Sequence, residues 1–139
     1  MPANTSPIFT LTPNCSTGFI AAANTAGDAS GVLVTAFTAG ANGSLVSRIK
    51  FTAAQATVGA SSLKVMRVHL SDSAGLNPQK IEEILLPAIT GSNTVIGATS
   101  TITFIDGLII KTGQILYVTQ SIYASAADRT SFRVDGGDY

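Results

Sequence analysis

The chain has 139 residues, with 8 basic and 8 acidic side chains and a formal net charge of zero. Charged residues make up 12% of it, about half of the roughly 25% that is usual in globular domains. Without an excess of Lys and Arg, the composition gives no sign of nucleic acid or an anionic membrane as a partner. A hydrophobic content of 45% excludes an intrinsically disordered chain, and the length fits one domain, 1–139.

The long uncharged stretches do not predict a membrane span. Two of them, 29–47 and 84–105, are interrupted by glycine and asparagine, and the second also by proline. The N-terminus lacks a basic segment followed by a long apolar one, so no secretory signal is predicted. Cys15 is the only cysteine, and we expect it to be a small buried side chain in preference to a free thiol or an intermolecular cross-link.

Strand patterns begin early in the chain. The first predicted strands are Pro7–Thr12, Gly18–Ala22, Gly31–Ala39 and Ser44–Ala53. The last two are separated by 40–43 (GANG), whose Asn-Gly step is the strongest hairpin signal in the chain. In Ser44–Ala53, period-two alternation predicts Leu45, Ile49 and Phe51 on one face together with Ser47. Val46, Arg48, Lys50 and Thr52 are then predicted on the other face.

The same pattern continues to the C-terminus. The later predicted strands are Ser62–Leu70, Lys80–Leu86, Thr99–Ile105, Leu108–Ile110, Gln114–Tyr123 and Arg129–Asp135. Asp106–Gly107 predicts a turn, 88–97 a loop, and 136–139 a polar tail. The segments between strands are too short for crossover helices, so we expect antiparallel pairing. The sequence therefore predicts an all-β fold: a single antiparallel β-sandwich, jelly-roll-like, of eight to ten short strands.

Patterns that would support catalysis or metal binding are weak. His69 is the only histidine, and a strand histidine on a sheet face or rim is favoured over a nucleophile–histidine site that uses the nearby Asp72. One cysteine and one histidine cannot build a structural zinc site. Asp135 and Asp138 supply too few oxygen ligands for calcium. We therefore predict no enzyme, and no catalytic, cofactor-binding or metal-binding residue; the binding residues stay unknown.

The charged side chains offer two further candidate sites. Glu82 and Glu83 are adjacent on a predicted strand, so they point to opposite faces and do not form a paired-carboxylate catalyst. A basic patch forms if the strands that carry these residues are neighbours: Arg48, Lys50, Lys64, Arg67, Arg129 and Arg133. No aromatic residue is interleaved with them, which favours a solvated face or a protein contact over nucleic acid.

The scarcity of charge itself bears on function. Surfaces of soluble domains are typically about a quarter to a third charged, and this chain has too few charged residues for that. Zero net charge also removes the repulsion that keeps copies apart. We therefore expect a component of an oligomeric assembly, packed against copies of itself or against a partner lattice.

Six short segments are spread over most of the chain: 7–14 (PIFTLTPN), 23–26 (ANTA), 35–44 (TAFTAGANGS), 86–88 (LPA), 111–113 (KTG) and 136–139 (GGDY). Together they resemble segments of small virion structural proteins of tailed bacteriophages. This resemblance implies a non-enzymatic capsid decoration or cement protein, bound as a trimer to the outside of an icosahedral head. Its partner would be the major capsid protein lattice, and its location the capsid surface after synthesis in the host cytoplasm without a signal peptide.

The resemblance transfers no functional residue, because such proteins offer interfaces and not a site. Residues 1–16 are a candidate extended N-terminal arm that lies across a neighbouring subunit. Two alternatives stay open: a tail or head-fibre module, and a carbohydrate-binding β-sandwich for host attachment. Sugar binding usually uses exposed aromatics, and the chain has three Tyr, six Phe and no Trp. The alternating Phe residues are more consistent with the core.

Overall fold

The computed structural model describes residues 12–54, 59–92 and 94–139, which form eleven strands and one short 3-10 helix, Ala126–Asp128. Eight strands span five or more residues: β2 (Ser16–Ile20), β3 (Val34–Thr38), β4 (Ser44–Ala53), β6 (Lys64–Leu70), β7 (Gln79–Leu86), β9 (Thr99–Ile110), β10 (Ile115–Gln120) and β11 (Thr130–Asp138). Three have two residues each: β1 (Thr12–Pro13), β5 (Ala60–Ser61) and β8 (Ile89–Thr90).

The long strands form two antiparallel sheets. In the first sheet β11 lies between β4 and the N-terminal strands β1 and β2, and β9 follows β4 at the edge. The second sheet has the order β3-β10-β6-β7, and β5 pairs with β8 separately. Buried side chains of both sheets form one apolar core, which includes Ile49, Phe51, Met66, Val68 and Leu116. The predicted all-β, antiparallel sandwich is confirmed; the described residues contain eleven strands, because three two-residue strands add to the eight long ones.

The predicted alternation in β4 is interrupted by a bulge. Ile49 and Phe51 lie in the core and Arg48 and Lys50 point outward, as predicted. Val46, however, is fully buried, whereas Leu45 on the predicted inner face is only partly buried. The pairing with β9 shifts between Val46 and Arg48, and such a shift moves the side chains that precede it to the opposite face.

The turn predicted at Asp106–Gly107 is instead a bulge within the single strand β9. Val46 pairs with Leu108 and Arg48 with Thr103, so four residues of β9 lie opposite one residue of β4. Asp106 and Gly107 both have positive φ, at 65° and 81°. Many turns also need positive φ, which Asp and Gly tolerate, and for this reason the sequence predicts a turn here. A Cβ at position 107 would lie 2.5 Å from the Leu45 side chain, so glycine is required there for space as well as for conformation.

The hairpin predicted between β3 and β4 is wrong, although the turn itself is present. Gly43 has φ of 88° and donates its N–H to the Gly40 carbonyl at 3.0 Å. β3, however, pairs with β10 in the second sheet, and β4 pairs with β11 and β9 in the first. Turn chemistry predicts a reversal of the chain, but it does not say whether the two arms belong to one sheet.

The predicted polar tail at 136–139 is mostly strand. β11 extends to Asp138, and Gly136, Gly137 and Asp138 pair with the beginning of β4. The Asp138 carboxylate accepts hydrogen bonds from Asn14 Nδ2 at 2.8 Å and from Ser44 Oγ at 2.5 Å. These bonds, from Ser44 first and Asn14 second, hold the pKa of Asp138 below its usual value. The end of the chain is therefore tied to its beginning.

The predicted arm at 1–16 is only partly within the described residues, since 1–11 lie outside them, as does most of the predicted strand Pro7–Thr12. Thr12 and Pro13 pair with Asp138 and Gly137 of the same chain. Ser16 begins β2, and its hydroxyl hydrogen-bonds the Ala36 carbonyl. Residues 12–16 are thus positioned against the chain's own first sheet.

A buried ion pair joins β6 of the second sheet to the 3-10 helix that precedes β11. Lys64 Nζ lies 2.6 Å from the backbone carbonyl of Asp128 and 3.4 Å from its carboxylate, and both side chains are almost completely buried. Burial lowers the pKa of Lys64 despite the nearby carboxylate. Burial opposes the charged form of Asp128, but the backbone N–H groups of Ser62 and Ala124 and the Lys64 ammonium together hold its pKa below the usual value.

We predict that Lys64→Met lowers the free energy of unfolding by about 3–5 kcal/mol, because it leaves a buried carboxylate without its counter-charge. Lys111→Met is the matched control: Lys111 is exposed in the β9–β10 turn, and a change of about 0.5 kcal/mol or less is expected there. Urea unfolding at neutral pH measures both. Equal stability of the two variants would contradict a structural role for the buried pair.

Candidate assembly surfaces

The residues considered for catalysis each have structural partners. His69 is fully buried on the outward side of β6, with Nε2 3.3 Å from Thr119 Oγ1. Burial, followed by the positive charges of Arg67 and Lys80, lowers its pKa, which favours the neutral imidazole. The Asp72 carboxylate is occupied in its own turn, where it accepts from the Ala74 and Leu76 backbone N–H groups at 2.9 Å. The structure therefore places His69 on a sheet face.

The expectation of a buried cysteine is wrong. Cys15 is exposed between β1 and β2, with Sγ 3.9 Å from the Gly136 carbonyl. Both of these strands pair with β11 in the first sheet, and Cys15 lies in the short connection between them. Across residues 12–54, 59–92 and 94–139, His, Cys, Asp and Glu side chains form no group of three or more that could hold a metal ion.

The six cations considered as one patch are divided between the sheets. Lys64 is buried in its ion pair, and Arg67 on the second sheet lies 3.5 Å from Glu83. The other four share the outer surface of the first sheet, which we call the basic face: Arg48, Lys50, Arg129 and Arg133. It forms because β11 and β4 are neighbours in a register that places these side chains on the outward side.

The register creates an unfavourable contact at the centre of the basic face. Lys50 on β4 lies directly opposite Arg133 on β11, and like charges in such cross-strand pairs are destabilising. The one carboxylate on the face, Asp135, is shared by Arg48 Nε at 2.5 Å and Arg133 Nε at 2.6 Å. These hydrogen bonds, from Arg48 and then Arg133, lower the pKa of Asp135. In the described part of the chain Lys50 has no ion-pair partner.

A shallow depression of about 620 Å³ lies over this pair, and Phe19 and Arg129 are part of its wall. Threonine and serine hydroxyls complete much of the lining, from Thr17, Thr52 and Ser131. The Arg129 guanidinium carbon is 3.5 Å from the centre of the Phe19 ring, a cation–π contact. Phe19 keeps 51% exposure, so this phenylalanine lies outside the core, unlike the buried Phe37, Phe51 and Phe132.

A second surface lies along the side of the sandwich formed by the edge strands β7 and β9. The two strands are joined by a 2.6 Å hydrogen bond from Ser100 Oγ to the Leu85 carbonyl. Four large apolar side chains on these strands are exposed, and we call this surface the aliphatic side: Ile81 36%, Leu85 57%, Ile105 88% and Ile109 64%. The β9 bulge carries Ile105, so a feature that resembles a turn in the sequence presents the most exposed residue of this set.

Charge is unevenly distributed between these surfaces. The basic face holds four cations and one carboxylate, a net charge of +3, so the remaining four cations and seven carboxylates leave −3 elsewhere. Three of those carboxylates are on the strands of the aliphatic side: Glu82, Glu83 and Asp106. Glu83 contacts Arg67 and Lys80, whereas Glu82 and Asp106 form no ion pair with any described residue. The zero net charge thus combines one basic face with an excess of acidic groups over the rest of the chain.

Comparison with known proteins leaves these surfaces as the main guide to function. No protein-family model matches the chain, and a search of curated proteins found no similar sequence. In the part of the chain that the structure describes, no helix has the length and hydropathy of a membrane span. Function is therefore best approached through the placement of charge and of exposed apolar side chains.

We predict that Lys50→Glu raises the free energy of unfolding by up to about 1 kcal/mol, because it turns the Lys50–Arg133 repulsion into an attraction. Lys111→Glu makes the same change of charge in a turn without a cross-strand cation, and no gain is expected. Thermal and urea unfolding of both variants at low salt provide the measurement. A loss of stability in Lys50→Glu would mean that Lys50 is retained for folding and not for a partner.

Proposed function

We propose that this chain is a non-enzymatic virion structural protein, a capsid decoration or cement protein of a tailed bacteriophage. It binds the outer head surface as a homo-oligomer, most simply a trimer, and stabilises the major capsid protein lattice. The proposal joins the resemblance of its short segments to small virion proteins with the nature of its surface. Nucleic acid and membrane have no part in it.

The observation that carries the proposal is the aliphatic side. Its four side chains are 36% to 88% exposed on two strands that contact each other, and exposed apolar patches on a soluble protein mark interaction sites. Because β7 and β9 are edge strands of the described sheets, their outer backbone groups are also available for pairing. Proteins usually protect such edges with charge, bulges or a covering element, and here the bulge presents an isoleucine.

The order of the strands supports the jelly-roll part of the proposal. The long strands of the first sheet are β2-β11-β4-β9 and those of the second are β3-β10-β6-β7. Strands from the two ends of the chain are thus interleaved within each sheet, the arrangement expected when two Greek keys wrap into a jelly roll. Jelly rolls are frequent in viral capsid and lectin domains, which keeps both an assembly role and a glycan-binding role in consideration.

We expect the purified chain to have a molar mass that is a multiple of the 14.2 kDa protomer in light scattering after size exclusion. Ile105→Asp should shift it towards monomer, because a buried, unpaired carboxylate is costly at an interface. Leu76→Asp is the matched control: Leu76 is 62% exposed but lies in the β6–β7 turn. A monomeric wild-type chain, or equal effects of both variants, would contradict self-assembly through the aliphatic side.

The location in the virion requires a separate experiment. Antibody raised against the chain and imaged on intact tailed-phage particles should label the head surface. Label confined to the tail would favour the alternative of a tail or head-fibre module. If particles of a phage that encodes the chain carry no label at all, a virion role would be contradicted.

A second candidate function, carbohydrate binding for host attachment, is favoured by one observation. Phe19 is exposed and stacked with Arg129 beside a depression lined by hydroxyl groups, and an open aromatic ring among polar groups is suited to the apolar face of a sugar. A glycan array separates the two functions. Binding that is lost in Phe19→Ala, but retained in Phe104→Leu on β9, would support glycan attachment; no binding would leave the assembly role.

A further inference from the structure

We propose that the basic face of one copy binds the aliphatic side of the next copy, with Lys50 and Arg129 facing Glu82 and Asp106. The inference rests on the homo-oligomer of the proposed function and names the two surfaces that meet in it. It follows from the separation of charge within the chain, which gives each copy both halves of a complementary pair.

The first argument is that two cations of the basic face form no ion pair with the described residues of their own chain. Arg48 and Arg133 share Asp135, but Lys50 and Arg129 form no ion pair with any residue that the structure describes. Lys50 also faces Arg133 across the strand pair, an arrangement that costs stability in the isolated protomer. A carboxylate brought to the depression between Lys50, Arg129 and Arg133 would relieve that repulsion.

The second argument is that suitable carboxylates lie on the other surface of the same chain. Glu82 and Asp106 are exposed and without an ion pair among the described residues, and they belong to β7 and β9, the strands that also carry Leu85 and Ile105. The aliphatic side therefore combines apolar contact area with acid groups, as an interface with apolar anchors and a charged rim requires. Phe19 supplies an exposed apolar group on the basic face.

The third argument concerns the closure of the assembly. The two surfaces are different, so the contact is heterologous, and such contacts form either rings or open filaments. Both surfaces border β9, which is the edge strand of the first sheet and one wall of the aliphatic side. The trimer of the proposed function requires that the rotation between successive copies closes into a ring.

The test uses charge reversal on the full chain, with molar mass measured by light scattering at low salt. Lys50→Glu/Arg129→Glu changes the basic face, and Glu82→Lys/Asp106→Asn changes the aliphatic side; asparagine is chosen at 106 because the backbone has positive φ there. Each double variant should weaken self-association by about tenfold or more. The variant that carries all four substitutions should regain the wild-type mass, because the two surfaces are again complementary.

Circular dichroism melting establishes that each variant is folded, and Lys111→Glu, a charge reversal in the β9–β10 turn, should leave the mass unchanged. Unchanged mass in either double variant, failure of the fourfold variant to reassemble, or a monomeric wild-type chain would each overturn the inference. If the wild-type chain is oligomeric and labels the phage head while the charge variants have no effect, the proposed function stands. The basic face would then be available to an acidic glycan or an acidic segment of another protein.

Discussion

The position of β11 at the centre of the first sheet is the constraint on which the rest of the structure depends. This last strand pairs with β4 on one side and with β1 and β2 on the other, so residues 12–20 are held in one sheet with the C-terminal strand. Asp138 reinforces the junction by bonding Asn14 and Ser44. Because β11 and β4 hold the sheet at its middle, their register decides which side chains meet on its outer surface.

That register explains why a chain so poor in charge has one strongly charged face. It places Lys50 opposite Arg133 and Asp135 opposite Arg48, so one carboxylate accompanies four cations on this face. The compensating acids lie elsewhere, some of them beside exposed isoleucine and leucine on β7 and β9. A protomer alone obtains nothing from this separation and bears the repulsion between Lys50 and Arg133. In the assembly that we propose, the basic face and the aliphatic side are complementary.

Local pattern was sufficient to predict much of the fold. The bounds of β4, the outward Arg48 and Lys50, and the antiparallel all-β class follow from alternation and short connections. The pattern was not sufficient where one local signal is compatible with two structures. The Asp106–Gly107 step suits either a turn or a bulge within a strand. The turn at 40–43 can connect two strands of one sheet or strands of two different sheets. The basic face was only partly predictable. Alternation predicts the outward side chains of each strand, but nothing in the sequence indicates that β4 pairs with β11 or that the Lys64 side chain is buried. The exposure of Phe19 and Ile105 likewise depends on the neighbours of their strands.

The most direct measurement of the central claim is zero-length cross-linking between isotopically distinct copies. Light and heavy chains are mixed, allowed to exchange, and treated with a carbodiimide, which joins an amine to a carboxylate only when the two are in contact. The account predicts peptides in which Lys50 of one isotope is joined to Glu82 or Asp106 of the other. The account would be contradicted if the chains are shown to be oligomeric and peptides that contain Lys50 are detected, but none of them is joined to Glu82 or Asp106 of the other isotope.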